Sequence, residues 1–138
     1  MQKKKDPKYS WAIESEGRCV GSVWLHSFEE ENRRARFAIE IHDSASRGKG
    51  IGMEATRTVV KVAFEHIKLH RLDLRVLTSN HVAIACYRSC GFKDEGIQRE
   101  TLFIDGRWES DLWMSILEQE YKEKANQSLQ TTATSRRV

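Results

Sequence analysis

Hydrophobic and polar positions alternate at first, then fall into a helical period, then alternate again. Tyr9, Trp11 and Ile13 alternate with polar neighbours, which predicts a strand over Tyr9–Ser15. Glu16-Gly17 is a turn signal, and Val20, Val23, Trp24 and Leu25 mark a second strand over Cys19–Phe28. After the polar connection Glu29–Asn32, Phe37, Ile39 and Ile41 share one face of a third strand, Ala35–His42. Short turns between such runs predict an antiparallel meander.

The period then changes. Asp43–Lys49 is a small, polar, glycine-containing loop, and Gly50–Leu69 carries Ala55, Val59, Val62, Ala63 and Ile67 on one helical face, widened by Val60 and Phe64. Leu72, Leu74 and Val76 define a strand over Arg71–Leu77. Thr78, Ser79 and Asn80 are capping types ahead of a short helix His81–Cys90, and Gly91 stands where a C-terminal cap belongs. Asp105-Gly106 between two alternating runs predicts a hairpin of Gly96–Ile104 with Arg107–Leu117. The order is three strands, helix, strand, helix, two strands in one α/β (α+β) domain over 9–121, with a basic segment 1–8 before it. Residues 122–138 read as a polar C-terminal tail, of which Gln127–Val138, rich in Ser, Thr and Gln, is expected to be poorly packed.

Composition narrows the class. The 138 residues are 39% hydrophobic, enough for one domain with a core. A net charge of +3, from 23 basic and 20 acidic residues, does not call for a nucleic-acid partner. Cys19, Cys86 and Cys90 form no disulfide framework, which points to a reducing cytoplasm. Cys86 and Cys90 lie one helical turn apart without further ligand-type residues at metal spacing, so they read as packing residues and no metal is expected. Met1–Lys8 is basic but not followed by an apolar stretch of signal-peptide type, and no run is long enough to span a membrane.

The chemistry-bearing segment is Arg47-Gly48-Lys49-Gly50-Ile51-Gly52, between a strand and a long helix. Glycines there permit close backbone approach, and the free amides of the helix start form an anion site suited to a pyrophosphate. Arg47 and Lys49 add positive charge. The spacing matches neither the dinucleotide fingerprint nor a Walker loop.

Arg-x-x-Gly-x-Gly at a strand-to-helix junction resembles the coenzyme A motif of the GNAT superfamily of N-acetyltransferases. Downstream segments agree in order. His70-Arg71-Leu72-Asp73-Leu74 resembles the family's next strand, and Asn80 to Phe92 resembles its Asn-x-x-Ala-(x)-Tyr-x-x-x-Gly-Phe segment. Glu95-Gly96, Arg99-Glu100, Asp105-Gly106, Asp111 and Met114–Leu117 resemble the branch with ribosomal-protein and diamine N-acetyltransferases. The resemblance implies a mixed, mostly antiparallel sheet in which the third strand splays from the strand at Arg71. It implies acetyl transfer from acetyl-CoA to an amine by direct attack, with a small-molecule amine or peptide N-terminus as acceptor. The coenzyme pyrophosphate would rest on Arg47–Gly52, and backbone groups near Ile39–Ile41 would hold the pantetheine arm. The family also begins with a strand and helices that wall the acceptor site. Only about ten residues precede the first strand here, so a CoA-binding domain with little turnover is the alternative function.

Tyr87 matches the position at which the family places a general acid for the departing thiolate; its other reading is an aromatic anchor. Glu40 is a candidate base for the amine, although by alternation it faces away from Ile39 and Ile41. His42 is a second candidate base. Asn80 serves as a helix cap, as a contact to the coenzyme arm, or both. Glu29–Glu31 could attract a cationic amine. Trp11, Ile13, Trp24 and Trp108 are expected to line an apolar interface in a homodimer formed at the open edge of the first strand.

Overall fold

The computed structural model describes residues 9–42 and 50–135, with side-chain surroundings through Gln127. A six-stranded sheet runs in the order β1-β2-β3-β4-β6-β5. The strands are β1 Tyr9–Ser15, β2 Arg18–Glu29, β3 Arg34–Ile41, β4 Arg71–Leu77, β5 Lys93–Ile104 and β6 Arg107–Leu117. The neighbouring pairs are antiparallel except β3 with β4, which is parallel. The three helices are α1 Ile51–Lys61, which continues as a wider turn over Val62–His66, α2 His81–Ser89 and α3 Glu118–Ser135.

Strand alternation divides the sheet into two unlike faces. Val23, Leu25, Ala35, Phe37, Leu72, Leu74, Met114 and Ile116 are buried on one face together with Val59, Val60, Ala63 and Phe64 of the first helix. Ile84 and Tyr87 of α2 and Tyr121 of α3 pack against the same core. The opposite face carries Arg36, Asp73, Arg75, Trp113 and Ser115 at the intervening positions. Burying the aliphatic face supplies the main drive to fold, at roughly 25 cal/mol per Å² of apolar surface.

The periodicity of 50–69 is helical, but the α-helical hydrogen bonds give way after Lys61. The Ile67 amide donates to the Val62 carbonyl, five residues back, and Lys68 then takes a left-handed conformation at φ 64° that ends the element. Asp105 and Gly106, at φ 50° and 79°, make the tight hairpin turn that Asp-Gly predicts. The polar C-terminal segment that begins at residue 122 continues α3, whose backbone is helical to Ser135. Its start is anchored: the Tyr121 ring stacks on Phe64 at 5.1 Å, and Lys124 donates to the Ser89 carbonyl at 3.0 Å. A polar composition concealed this, because the anchoring contacts fall in its first two turns.

Candidate active site

The parallel β3–β4 ladder is short. Arg34 pairs with Arg71, Ala35 with Leu72 and Arg36 with Asp73, and there the pairing stops. Beyond it, Phe37–Ile41 remains paired to β2, while Leu74–Leu77 pairs with β6. The two strands therefore part, leaving a cleft between Phe37–Ile41 and Leu74–Leu77. Its helix-side lining includes Phe37, Ile39 and Ile41, the last two only partly buried.

The first turn of α1 closes one end. Gly50 precedes it in the left-handed region at φ 76°, where an L side chain is strained, and no side chain caps the helix. Among the described residues no side chain is bonded to the amides of the first turn, and a β-carbon placed on Gly52 would lie 3.4 Å from the Ile41 side chain. That contact sets the helix start beside the end of β3. Arg47, Gly48 and Lys49 lie outside the described residues.

Tyr87 is held by a local device that the sequence encodes. Gly91 follows α2 at φ 105°, so the Gly91 amide donates to the Arg88 carbonyl and the Phe92 amide to the Tyr87 carbonyl. This is the paired closure of a glycine-terminated helix, and it carries the usual apolar contact across the end. The Phe92 and Tyr87 rings meet edge-on at 5.9 Å. Tyr87 also meets Phe37, the first residue past the last β3–β4 pair, at 6.1 Å. The phenol therefore stands where the strands separate. Among the described residues its hydroxyl has no hydrogen-bond partner. Burial first, and then the neighbouring Cys86 and Cys90, push its pKa up to about 12. The hydroxyl stays protonated throughout the physiological range.

Asn80 caps α2, its side-chain oxygen accepting from the Ala83 amide at 3.2 Å. Glu40 is exposed on the face opposite Ile39 and Ile41, as alternation predicts. His42 is exposed, and its amide donates to the Val20 carbonyl. Neither is brought against Tyr87 by any described contact. Glu29 does not stand free for a cation: it accepts from Arg34 at 2.7 Å and from Asn32 at 2.9 Å, and these partners hold its carboxyl below the usual range. Of the expected interface residues, Ile13 is buried in the core, and Trp11 is partly buried beside Tyr9. Trp108, by contrast, is 58% exposed.

One cluster went unread in the sequence. On the helix-free face, Arg36 donates to Asp73 at 2.9 Å, and Arg71 donates to the other Asp73 oxygen at 3.2 Å. Arg71 also grips Glu95 with two hydrogen bonds of 2.6 and 2.8 Å, and this holds the Glu95 pKa down at about 2. The available signal was the charge at alternate positions Arg71, Asp73 and Arg75, between the buried leucines of β4.

A mixed sheet whose parallel pair parts after three residues, with a helix starting beside the end of β3 and a phenol at the parting point, defines the architecture. The chain belongs to the GNAT acetyltransferase family: the family's domain model, Acetyltransferase (GNAT) domain, matches residues 1–93. The protein is similar to the Bacillus subtilis protein named "Probable N-acetyltransferase YjcK", at 36% identity over 115 residues, covering 82% of this chain and 64% of that one. It is also similar to spermidine N(1)-acetyltransferase of Escherichia coli, at 32% identity over 111 residues, covering 80% of this chain and 59% of the enzyme. The chain thus spans less than two thirds of these relatives. Among solved structures, the dodecameric spermidine N-acetyltransferase of Vibrio cholerae superposes with a TM-score of 0.75 at 29% identity, covering 81% of this chain and 66% of that one.

Proposed function

We propose that this protein transfers the acetyl group of acetyl-CoA to a primary amine. The observation that carries this reading is the parting of β3 from β4 after Arg36 and Asp73, with Tyr87 packed on Phe37 at that point. In the proposed complex the pantetheine arm lies in the cleft along Phe37–Ile41, and backbone groups of Ile39 and Ile41 hold it. The pyrophosphate sits on the amides of Gly50, Ile51 and Gly52 at the start of α1, with Arg47, Gly48 and Lys49 as further contacts. Asn80 contributes through the α2 cap. The amine nitrogen attacks the thioester carbonyl; a C–N bond forms and the C–S bond breaks. The amine proton leaves to Glu40, directly or through water, and Tyr87 donates a hydrogen bond to the departing sulfur.

The relatives that act on spermidine favour a polyamine as the acceptor class. A second reading, coenzyme A binding with little turnover, is favoured by the sheet face against which no described helix packs. We also propose self-association. The β5–β6 hairpin continues beyond the end of β4 at Leu77, and its end exposes Leu102, Phe103, Ile104 and Trp108. Exposed apolar clusters of this kind mark interfaces, and the similar Vibrio cholerae enzyme is dodecameric. The deciding assay presents acetyl-CoA with polyamines, aminoglycosides and peptide N-termini and follows release of free thiol. Turnover with an amine supports transfer; saturable coenzyme A binding without turnover supports the second reading; absence of both overturns the cleft assignment.

A further inference from the structure

The point at which β3 leaves β4 coincides with a charged cluster. Arg36 and Asp73 form the last parallel pair, and their side chains meet on the helix-free face. Asp73 is 8% exposed at its side chain, so its charge is held almost entirely by Arg36 and Arg71. Arg71 carries the connection to Glu95 on β5. The Arg36 guanidinium lies 4.5 Å over the Trp113 ring of β6, and the Trp113 indole donates to Gln98 of β5 at 3.1 Å. Four strands are therefore tied together at one level of the sheet. Two positive and two negative charges make the cluster neutral overall.

A three-pair parallel ladder is a weak attachment, since its few slanted hydrogen bonds contribute little and both strands have competing antiparallel neighbours. Without a further tie, the boundary between paired and parted backbone could slide. We infer that the Arg36–Asp73–Arg71–Glu95 cluster is a clasp that fixes where the cleft begins, making Arg36 and Asp73 positioning residues for the ligand arm and for Tyr87. The link to Tyr87 is short: Phe37, which follows Arg36, carries the edge-on contact to the phenol. Arginine suits this role because its planar fork holds a carboxylate and stacks on an indole at once, which lysine cannot do.

This inference rests on the coenzyme A reading of the cleft, and the experiment keeps the two apart. Asp73→Asn preserves shape and removes the charge that Arg36 and Arg71 share; Arg36→Lys keeps charge but loses the fork and the stacking. Asp94→Asn is the control, because Asp94 pairs with Arg88 on an exposed surface and with no member of the cluster. Coenzyme A affinity is measured by calorimetry well below the melting temperature, and amide exchange is followed in Arg34–Arg36 and Arg71–Asp73. Asp73→Asn should weaken coenzyme A binding about tenfold, as small misplacements of a binding frame do. Arg36→Lys should fall between it and the parent, and Asp94→Asn should match the parent. Exchange should accelerate in the ladder and not in β1–β2. Parental affinity and parental ladder exchange in folded Asp73→Asn and Arg36→Lys would overturn the clasp, even if both variants melt earlier. Should Asp73→Asn fail to fold, Arg36→Lys alone decides by the same criteria. Should the parent itself not bind coenzyme A, the functional reading falls, and ladder exchange alone then decides for or against the clasp.

Discussion

Replacing Tyr87 by phenylalanine removes one oxygen and leaves the ring packing against Phe37 and Phe92 in place. The size of the effect follows from the phenol's acidity. With a pKa of about 12, against roughly 8.5 for a typical thiol, complete proton transfer to a thiolate is uphill by about 3.5 pH units, or roughly 5 kcal/mol. In the proposed mechanism Tyr87 would thus act chiefly as a hydrogen-bond donor to the developing sulfur charge. A hydrogen bond to a charged group contributes about 1.5–3 kcal/mol. Each 1.36 kcal/mol is tenfold in rate, so kcat should fall by roughly 10- to 100-fold. Coenzyme A affinity should change less than about twofold, because the charge exists only near the transition state. Stability should hold, since the hydroxyl has no hydrogen-bond partner among the described residues. The ratio of parent to variant kcat should stay flat up to about pH 10, below the range in which the phenol ionises. Single-turnover kinetics with acetyl-CoA and an excess of amine is the assay. An unchanged chemical step, with a lowered melting temperature, would reduce Tyr87 to an aromatic anchor.

Four further outcomes are expected. Gly50→Asp should weaken coenzyme A binding more than tenfold by strain at φ 76° and by repulsion of the pyrophosphate, and Gly50→Ala, carrying the strain alone, should weaken it less; parental calorimetric affinity in folded Gly50→Asp rules out the loop assignment. Glu40→Gln should slow turnover about tenfold at pH 7 and less near pH 10, where the amine loses its proton unaided; a loss uniform across pH rules out the base. Glu95 has a pKa of about 2 in the fold against 4.5 as the ordinary value, so its contribution is present above 4.5 and is lost as pH falls towards 2. At 39% side-chain exposure screening leaves about 1 kcal/mol, and Glu95→Gln should flatten acid unfolding in that window while matching the parent's slope above pH 5. Finally, Trp108→Lys should shift the species seen by light scattering towards 16 kDa, whereas a 16 kDa parent would remove the self-association proposal.

The fold was legible wherever a local rule acts alone. Alternation placed β4 and β6 at their observed bounds, and Asp-Gly placed the hairpin turn between β5 and β6. The Gly91-Phe92 pair announced the end of α2 and also fixes Tyr87, so one motif encoded an element boundary and a site. Features that depend on distant strands were not legible. Alternation within 9–15 puts Ile13 on an apolar face, but whether that face is buried in the core or at an interface between copies is not contained in the local period. The clasp joins positions 36, 71, 73 and 95, and a linear reading shows these only as separate surface charges. The start of α3 reads as polar because its anchors are single residues, Tyr121 and Lys124, on an otherwise charged helix.

Charge pairing also bears on how a cationic acceptor would be recognised. The acidic turn after β2 is the obvious attractant in the sequence, yet Arg34 and Asn32 engage Glu29. On the helix-free face, Arg36, Asp73, Arg71 and Glu95 compensate one another within hydrogen-bond distance. Compensated charges cast a weak field beyond a few ångströms, and salt screens what remains over about 10 Å. These pairs therefore add little to long-range steering, while Glu30 and Glu31 of the turn remain exposed. For the proposed amine acceptor, short-range candidates lie near the parted strands. Glu40 lies on β3 beyond the last β3–β4 pair, and Asp111 stands opposite Leu77 at the end of β4 with the Thr101 hydroxyl on its carboxylate at 2.7 Å. An acceptor held in this way is selected by where its nitrogen can reach, and its total charge matters much less.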